Sequence, residues 1–171
     1  QQLRFMAKPK VYVAKTKNTG KGIFAGRSIK KGEYIFTVKG EYKKFTIKNQ
    51  KDSDSWKCTN CIAISKEKWI DPFKENFLTY TNHSCNPNAG LRGSRRFYAM
   101  RDIKVDEEIT FDYSTSEIDT FWDLGVECKC GEKNCRKIIK SIQFLPKKTF
   151  EKYMPFIATR FITLYRVSIQ K

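Results

Sequence analysis

The chain has 171 residues and a mass of 20.1 kDa, enough for one domain of ordinary size and too short for two comfortable ones. Hydrophobic residues make up 40% and aromatics 14%, which excludes an intrinsically disordered chain, and apolar runs such as Phe156-Ile157-Ala158 stop far short of the roughly 20 residues a membrane-crossing helix needs. The formal net charge of +16 is unevenly spread: Lys and Arg number 14 against 2 acids over residues 1–51 and 7 against 1 over 140–171, whereas 52–139 carries 13 against 15. Basic flanks thus enclose a mildly acidic middle. The middle suits a basic substrate, and the flanks suit nonspecific contact with DNA or another anion, a merely solvated basic face being the alternative. Residues 1–10 hold no apolar stretch followed by a small-residue cleavage site, so an intracellular chain is expected, nuclear or cytoplasmic alike.

Taken in order, Val11-Tyr12-Val13-Ala14 reads as a first strand, residues 18–22 as a tight turn and Ile23-Phe24-Ala25 as a second strand, so a hairpin opens the domain after an extension over 1–9. Residues 30–33 turn the chain into Tyr34-Ile35-Phe36-Thr37-Val38, a strand by its β-branched and aromatic content. Residues 42–79, with Trp56 and Trp69-Ile70-Asp71-Pro72, lose periodicity and read as an insert of short strands with a helical turn. Residues 96–100 and 108–113 are two further strands, and Asp106 between them tolerates a left-handed turn. Beyond the last cysteine, residues 149–165 supply one or two short helices divided at Pro155, since proline removes an interior helix hydrogen bond. The expected class is mainly β, with many short strands and little helix.

The cysteines fall in two groups. Cys128, Cys130 and Cys135 crowd into one short segment, a spacing that strains disulfides but lets three thiolates turn about Gly131 onto one tetrahedral Zn²⁺ at roughly 2.3 Å, with Cys85 as the fourth donor. Cys58 and Cys61 have ligand spacing too. With no second pair and no spare histidine, they read as two free or buried thiols rather than as a second metal site.

Asn82-His83-Ser84-Cys85-Asn86-Pro87-Asn88, followed by Glu107-Glu108-Ile109-Thr110-Phe111-Asp112-Tyr113 and then the CxCx4C cluster, resembles the SET-domain protein lysine methyltransferases. The early Gly20-Lys21-Gly22-Ile23-Phe24-Ala25 turn and the Ile29-Lys30-Lys31-Gly32-Glu33 turn keep that family's order, so the likeness runs over residues 10–140. It implies a β-clip-like fold of several small sheets with a pseudoknot-like crossing, in which segment 82–85 passes through a loop beside segment 108–113. Short helices are expected in the insert and at the C-terminus. It also implies a SET domain over 10–115, a post-SET zinc-binding segment over 116–140 and a C-terminal extension over 141–171.

The chemistry that the resemblance implies is methyl transfer from S-adenosyl-L-methionine to a lysine amine of a protein or peptide substrate, a histone among the candidates, by a monomer with one structural zinc. Gly20, Lys21 and Gly22 let backbone approach the cofactor without Cβ obstruction, an ordinary hairpin turn being the alternative. Asn82, with amide donors and a carbonyl acceptor, suits the cofactor's amino-acid end, and the His83 backbone suits its adenine. Trp122 covers the adenine face or packs under the post-SET loop. Tyr113 takes the central catalytic role, its hydroxyl holding the amine. The sulfonium charge and burial both lower the lysine pKa from about 10.4, so no dedicated base is required. Phe111 occupies the product-specificity position, where phenylalanine leaves room for a methylated amine; plain core packing is the alternative. Glu108 and Asp112 read as structural partners or rim charges.

Three places depart from the family's pattern. Thr79-Tyr80-Thr81 stands where Arg-Phe-Ile is common, and Asp106 and Lys137 stand where glycine is frequent. No cysteine-rich pre-SET module is in the sequence, so substrate choice is expected from the 42–79 insert and the C-terminal segment. The alternative classes are a SET-like binding module without turnover, which the retention of Asn82, His83 and Tyr113 disfavours, and a basic zinc protein bound to nucleic acid, which steep salt dependence would mark.

Overall fold

A computed structural model describes residues 8–17, 19–46, 58 and 60–170. Asn18 of the first turn, Trp56 with the rest of 47–57 in the insert, and residues 1–7 of the extension lie outside the described residues. The opening hairpin follows its apolar pattern: β1 (Val11–Lys15) and β2 (Lys21–Ala25) pair antiparallel from Val11↔Ala25 to Lys15↔Lys21, with Val11, Ile23 and Ala25 buried. Gly20 closes the turn at φ 81°, a left-handed conformation that glycine adopts without strain.

Three small sheets follow among the described residues. β3 (Tyr34–Thr37) joins β9 (Arg96–Ala99) and β8 (Ala89–Arg92) in one sheet, and β4 (Gly40–Lys44), β6 (Lys68–Pro72) and β5 (Ile62–Ser65) form a second from the insert. In the third, β10 (Glu108–Phe111) inserts between the opening hairpin and β7 (Asn82–His83), giving the order β1-β2-β10-β7. The β10–β7 ladder is parallel, with Thr110 opposite Asn82 and Phe111 opposite His83. The mainly β class with several small sheets is therefore observed. Where residues 108–113 read as one strand, β10 ends at Phe111: the Asp112 carboxylate accepts from Ser114 N at 3.0 Å and starts a 3₁₀ turn over Tyr113–Ser116. β8, with its Ala-Gly-Leu-Arg sequence, carries no strand signal of its own and forms through pairing with β9.

Two apolar cores hold these sheets. The larger gathers Ile23, Ile29, Ile103 and Ile109 around Phe97, which stacks on Phe36 at 4.7 Å and meets Phe111 edge-on at 5.1 Å. The second forms where the insert meets the C-terminal segment: Trp69 of β6, fully buried, packs among Ile142, Phe150, Tyr153, Phe161 and Tyr165. The two C-terminal helices, α1 (Lys147–Tyr153) and α2 (Thr159–Ser168), are separated by a 3₁₀ turn that contains Pro155, as the sequence predicts. Phe150 and Tyr165 stack across them at 3.8 Å. Among the described residues no helix is long and apolar enough to cross a membrane.

Because Phe161 is completely buried between α2 and the insert sheet, Phe161→Ala should lower unfolding free energy by about 3–5 kcal/mol, from lost transfer energy plus a residual cavity. Urea titration measures it; a loss below about 1 kcal/mol would mean that the C-terminal helices do not share the domain's cooperative core.

Candidate active site

The parallel ladder is fastened by two asparagines. Asn82 Nδ2 donates to the Lys21 carbonyl at 3.1 Å and to Glu108 Oε1 at 2.7 Å, tying β7 to β2 and β10 at once. Asn88, 1% exposed, donates to the Glu108 carbonyl at 2.8 Å and to Glu107 Oε1, and its Oδ1 accepts from Thr110 N at 2.9 Å. Gly22 makes this approach possible. A Cβ there would stand 2.6 Å from Glu108 Oε1 and 2.7 Å from the Thr16 methyl.

Tyr113 is held at both ends where the chain leaves β10. Its backbone N–H donates to His83 Nδ1 at 3.2 Å, and its hydroxyl donates to the Thr81 carbonyl at 3.0 Å. Burial pushes the phenol up to about 12, so it stays protonated at neutral pH. The His83 ring lies edge-on to Tyr113 at 5.2 Å, and burial brings its pKa down to about 4 despite the Asp112 charge. Neutral His83 accepts at Nδ1, so its proton sits on Nε2, which faces Cys85 Sγ at 3.3 Å. The histidine therefore connects the tyrosine backbone to a sulfur.

That sulfur belongs to a group. The Sγ atoms of Cys85, Cys128, Cys130 and Cys135 all lie within 4.8 Å of one another, a set that fits the donors and dimensions of a tetrahedral zinc site. Gly131 turns the loop at φ 77°, Arg136 N donates to Cys85 Sγ at 3.4 Å, and the Cys85 carbonyl accepts from Asn134 Nδ2 at 2.9 Å and Tyr153 Oη at 2.7 Å. Arg136 Nη2 also reaches the buried Asp112 carboxylate at 2.7 Å. The other two cysteines differ from expectation. Instead of standing apart as separate thiols, Cys58 and Cys61 lie against each other with Cα atoms 5.3 Å apart, and their ligand atoms lie within 4.8 Å of that of Asp71.

Two kinds of hollow meet at Tyr113. On one side lie adjoining recesses of about 580 and 780 Å³ that share Lys17, Thr19, Asn82, His83, Lys129 and Cys130, forming a wide groove between the first turn and the cysteine loop; Tyr113 stands in the wall of the larger. On the other side is a narrow cavity of about 30 Å³ lined by Cys58, Cys61, Leu78, Thr81, Phe111, Tyr113, Glu117 and Trp122, among others. Asn82 and His83 thus face the groove. Phe111, 3% exposed, packs in the core and also lines the narrow cavity. Trp122 lines the narrow cavity and packs against the cysteine cluster. Of the first turn, Lys15, Thr16, Lys17 and Thr19 line the groove; Gly20, Lys21 and Gly22 lie just behind it, Lys21 touching Asn82 through its carbonyl.

Sequence reasoning missed Glu117, Arg136 and Tyr153. Glu117 is 5% exposed; its Oε1 accepts from Ile118 N at 2.7 Å and Asp119 N at 2.8 Å, and Oε2 accepts from the Trp69 indole at 3.4 Å. Burial raises its carboxyl to about 7, with the Asp119 charge adding to the rise against the pull of its backbone donors. Nothing in the local spacing marks it. Its partner Trp69 is 48 residues away.

Comparison with known proteins accounts for this arrangement. A sequence model described as SET domain matches residues 20–114, and the chain belongs to that family. It is 35% identical over 139 residues to the variant-silencing SET domain-containing protein of Plasmodium falciparum, covering 72% of this chain and 5% of that protein. Over 150 residues it is 33% identical to the histone-lysine N-methyltransferase ASHR3 of Arabidopsis thaliana, covering 77% and 28%, and over 142 residues it is 32% identical to the histone-lysine N-methyltransferase NSD3 of Mus musculus, covering 74% and 10%. The chain spans less than a third of the length of each of these relatives.

The Glu117 environment has a pH signature. Folded protein keeps a proton on this carboxyl up to about pH 7, whereas the unfolded chain releases it near 4.5, so its contribution to stability falls as pH rises between these values and is constant above. Glu117→Gln should remove that decline. Urea midpoints of parent and variant, compared at about pH 5 and about pH 8, should differ more at the higher pH, in the variant's favour. Parallel profiles would show that the carboxyl is ionised throughout.

Proposed function

We propose that the chain is an S-adenosyl-L-methionine-dependent protein lysine N-methyltransferase acting on a histone or similarly basic protein, with one structural Zn²⁺. A SET domain over 10–115, a post-SET segment over 116–140 and a C-terminal extension over 141–171 make up this reading. The observation that carries it is the place of Tyr113, common to the wide groove and the narrow cavity. When bound, S-adenosyl-L-methionine supplies an electrophilic methyl on a sulfonium sulfur. Asn82 spends both amide protons on protein, which leaves its carbonyl oxygen available to an ammonium group in the groove. The names of two relatives, histone-lysine N-methyltransferases, support the substrate class.

On the acceptor side, a lysine side chain entering the narrow cavity passes Phe111 and Trp122 and reaches the Tyr113 hydroxyl, which is already oriented by the Thr81 carbonyl. Burial there disfavours the ammonium form of the amine, as it disfavours the ionised form of Glu117 in the same wall. The residues position and desolvate; alignment of donor and acceptor accounts for much of the acceleration such a transfer needs. Phe111, without a hydroxyl, leaves the amine free to turn for a second or third methyl.

Tyr113→Phe should retain fold and donor affinity while losing methyl transfer roughly 10²-fold, the cost typical of deleting one positioned donor in a reacting site. Phe111→Tyr should stay active and shift the product toward monomethyl-lysine. Both are read by intact-mass analysis of a histone panel incubated with labelled methyl donor; equal turnover by Tyr113→Phe removes the proposed role, and an unaltered product distribution removes that of Phe111.

Metal analysis should find one zinc per chain held by Cys85, Cys128, Cys130 and Cys135, since four thiolates close a structural site. Chelation should also weaken donor binding, because the same cysteine loop supplies Lys129 and Cys130 to the groove. Full zinc retention by Cys85→Ser, or unchanged donor affinity after complete metal removal, contradicts this.

A further inference from the structure

Three lysines of the basic flanks have acidic neighbours: Lys8 pairs with Asp106 at 2.7 Å, Lys10 with Glu33 at 2.7 Å, and Lys147 approaches Glu151 at 4.0 Å. Charge without an acidic partner also collects in the nominally acidic middle of the sequence. The β8–β9 hairpin carries Arg92, Arg95 and Arg96 around a hollow of about 360 Å³ completed by Gly93, Ser94 and Tyr98, with no carboxylate in its lining. The side chains of Arg95 and Arg96 make no ion pair or hydrogen bond with any described residue.

Two features show that this is more than a solvated face. Arg92 and Arg96 are directly opposed in the antiparallel register, an arrangement of like charges that is unfavourable in a strand pair and that no carboxylate in the lining of the hollow relieves. Arg92 is also fixed in advance: its Nε donates to the Pro155 carbonyl at 3.1 Å, and its guanidinium lies 4.7 Å from the Phe156 ring centre and 5.4 Å from that of Tyr98. A guanidinium held by its Nε and its flat faces keeps its outer N–H groups for an anion, with little side-chain entropy left to lose.

We propose that this hairpin hollow is a phosphate-binding site for the backbone of a nucleic acid. Forked guanidinium donors match phosphate oxygens, and an anion between Arg92 and Arg96 converts their repulsion into shared attraction. A polymer is favoured over a single phosphorylated side chain because the basic track continues. Val38 N donates to the Arg95 carbonyl, which sets exposed Lys39 beside the turn as a further contact. The site is separate from Tyr113 and the groove, and the inference does not depend on methyl transfer.

The test is fluorescence anisotropy with labelled duplex DNA and with single-stranded RNA, using the full chain without methyl donor over a salt series. The parent should bind with a salt-dependent affinity, and Arg95→Ala/Arg96→Ala should lower the slope of log affinity against log salt by about 2, one for each lost phosphate contact. Ser94→Glu, which adds a carboxylate to the hollow and deletes no cation, should weaken binding likewise. Lys147→Ala/Lys148→Ala should change it less. Thermal midpoints equal to the parent's establish that the variants are folded. The proposal is overturned if both hairpin variants bind with the parent's affinity and slope, if the flank variant takes the loss instead, or if a phosphopeptide binds the hairpin and neither nucleic acid does. Any of these can occur in a chain that still methylates a free histone, which separates this failure from failure of the enzymatic reading.

Discussion

Thr110 and Phe111 lie parallel to Asn82 and His83, and this two-residue ladder is the contact through which the rest of the molecule is organised. So short a pairing supplies little by itself. It persists because buried Asn88 satisfies donors and acceptors on the β10 side and Asn82 does so on the β2 side, so that breaking the ladder would strand several polar groups away from water. The benefit is positional: Tyr113 leaves β10 two residues after the ladder, with its N–H on His83 and its hydroxyl on Thr81, both from the segment that the ladder holds. The phenol is placed by backbone geometry from two directions, and no loop motion is needed to orient it.

The cysteine cluster extends that control outward. Cys85 follows the ladder by two residues, its sulfur in the metal-ligand set and its carbonyl holding Asn134 and Tyr153, so the C-terminal helix α1 is tied through one residue to the motif beside the tyrosine. Arg136, directly after the last ligand, reaches back to Asp112, directly before Tyr113. Removing one partner of that buried pair would leave an uncompensated charge, a far larger penalty than the net value of the pair. Groove, cysteine loop and helix are therefore coupled by buried polar contacts that cannot be lost singly at low cost.

Much of this was legible in the sequence because it is local or carried by rare residue types. The opening hairpin, the strand at Tyr34, the Pro155 division between helices and the convergence of four cysteines follow from spacing and steric rules that act within a few residues. What was not legible depends on partners far apart. β8 becomes a strand only because β9 lies beside it, and Glu117 has a raised carboxyl in the wall of the narrow cavity only because the fold buries it there, beside a Trp69 that comes from 48 residues away. Charge depends on the fold in the same way: folding delivers Asp106 and Glu33 to Lys8 and Lys10 and leaves Arg95 and Arg96 around a hollow with no carboxylate in its lining.

The two positions where glycine is frequent in the family show how such departures are accommodated. Asp106 and Lys137 are the non-glycine residues with positive φ among those described, at 60° and 65°, so the backbone asks for glycine at both and the sequence supplies a side chain. At Asp106 the side chain returns something for the strain: its carboxylate accepts from Lys8 Nζ at 2.7 Å and Tyr12 Oη at 2.6 Å, fastening the chain before β1 to the turn that leads into β10. At Lys137 the return is smaller, an exposed pair with Glu127 at 3.3 Å, but its carbonyl accepts from Cys128 N at 2.7 Å and fixes the first ligand of the loop. That backbone bond does not depend on the side chain, so glycine would serve the cluster equally well there, whereas glycine at 106 would give up the link to β1. The same left-handed geometry is thus structural at both turns, and the side chain contributes to the fold at only one of them.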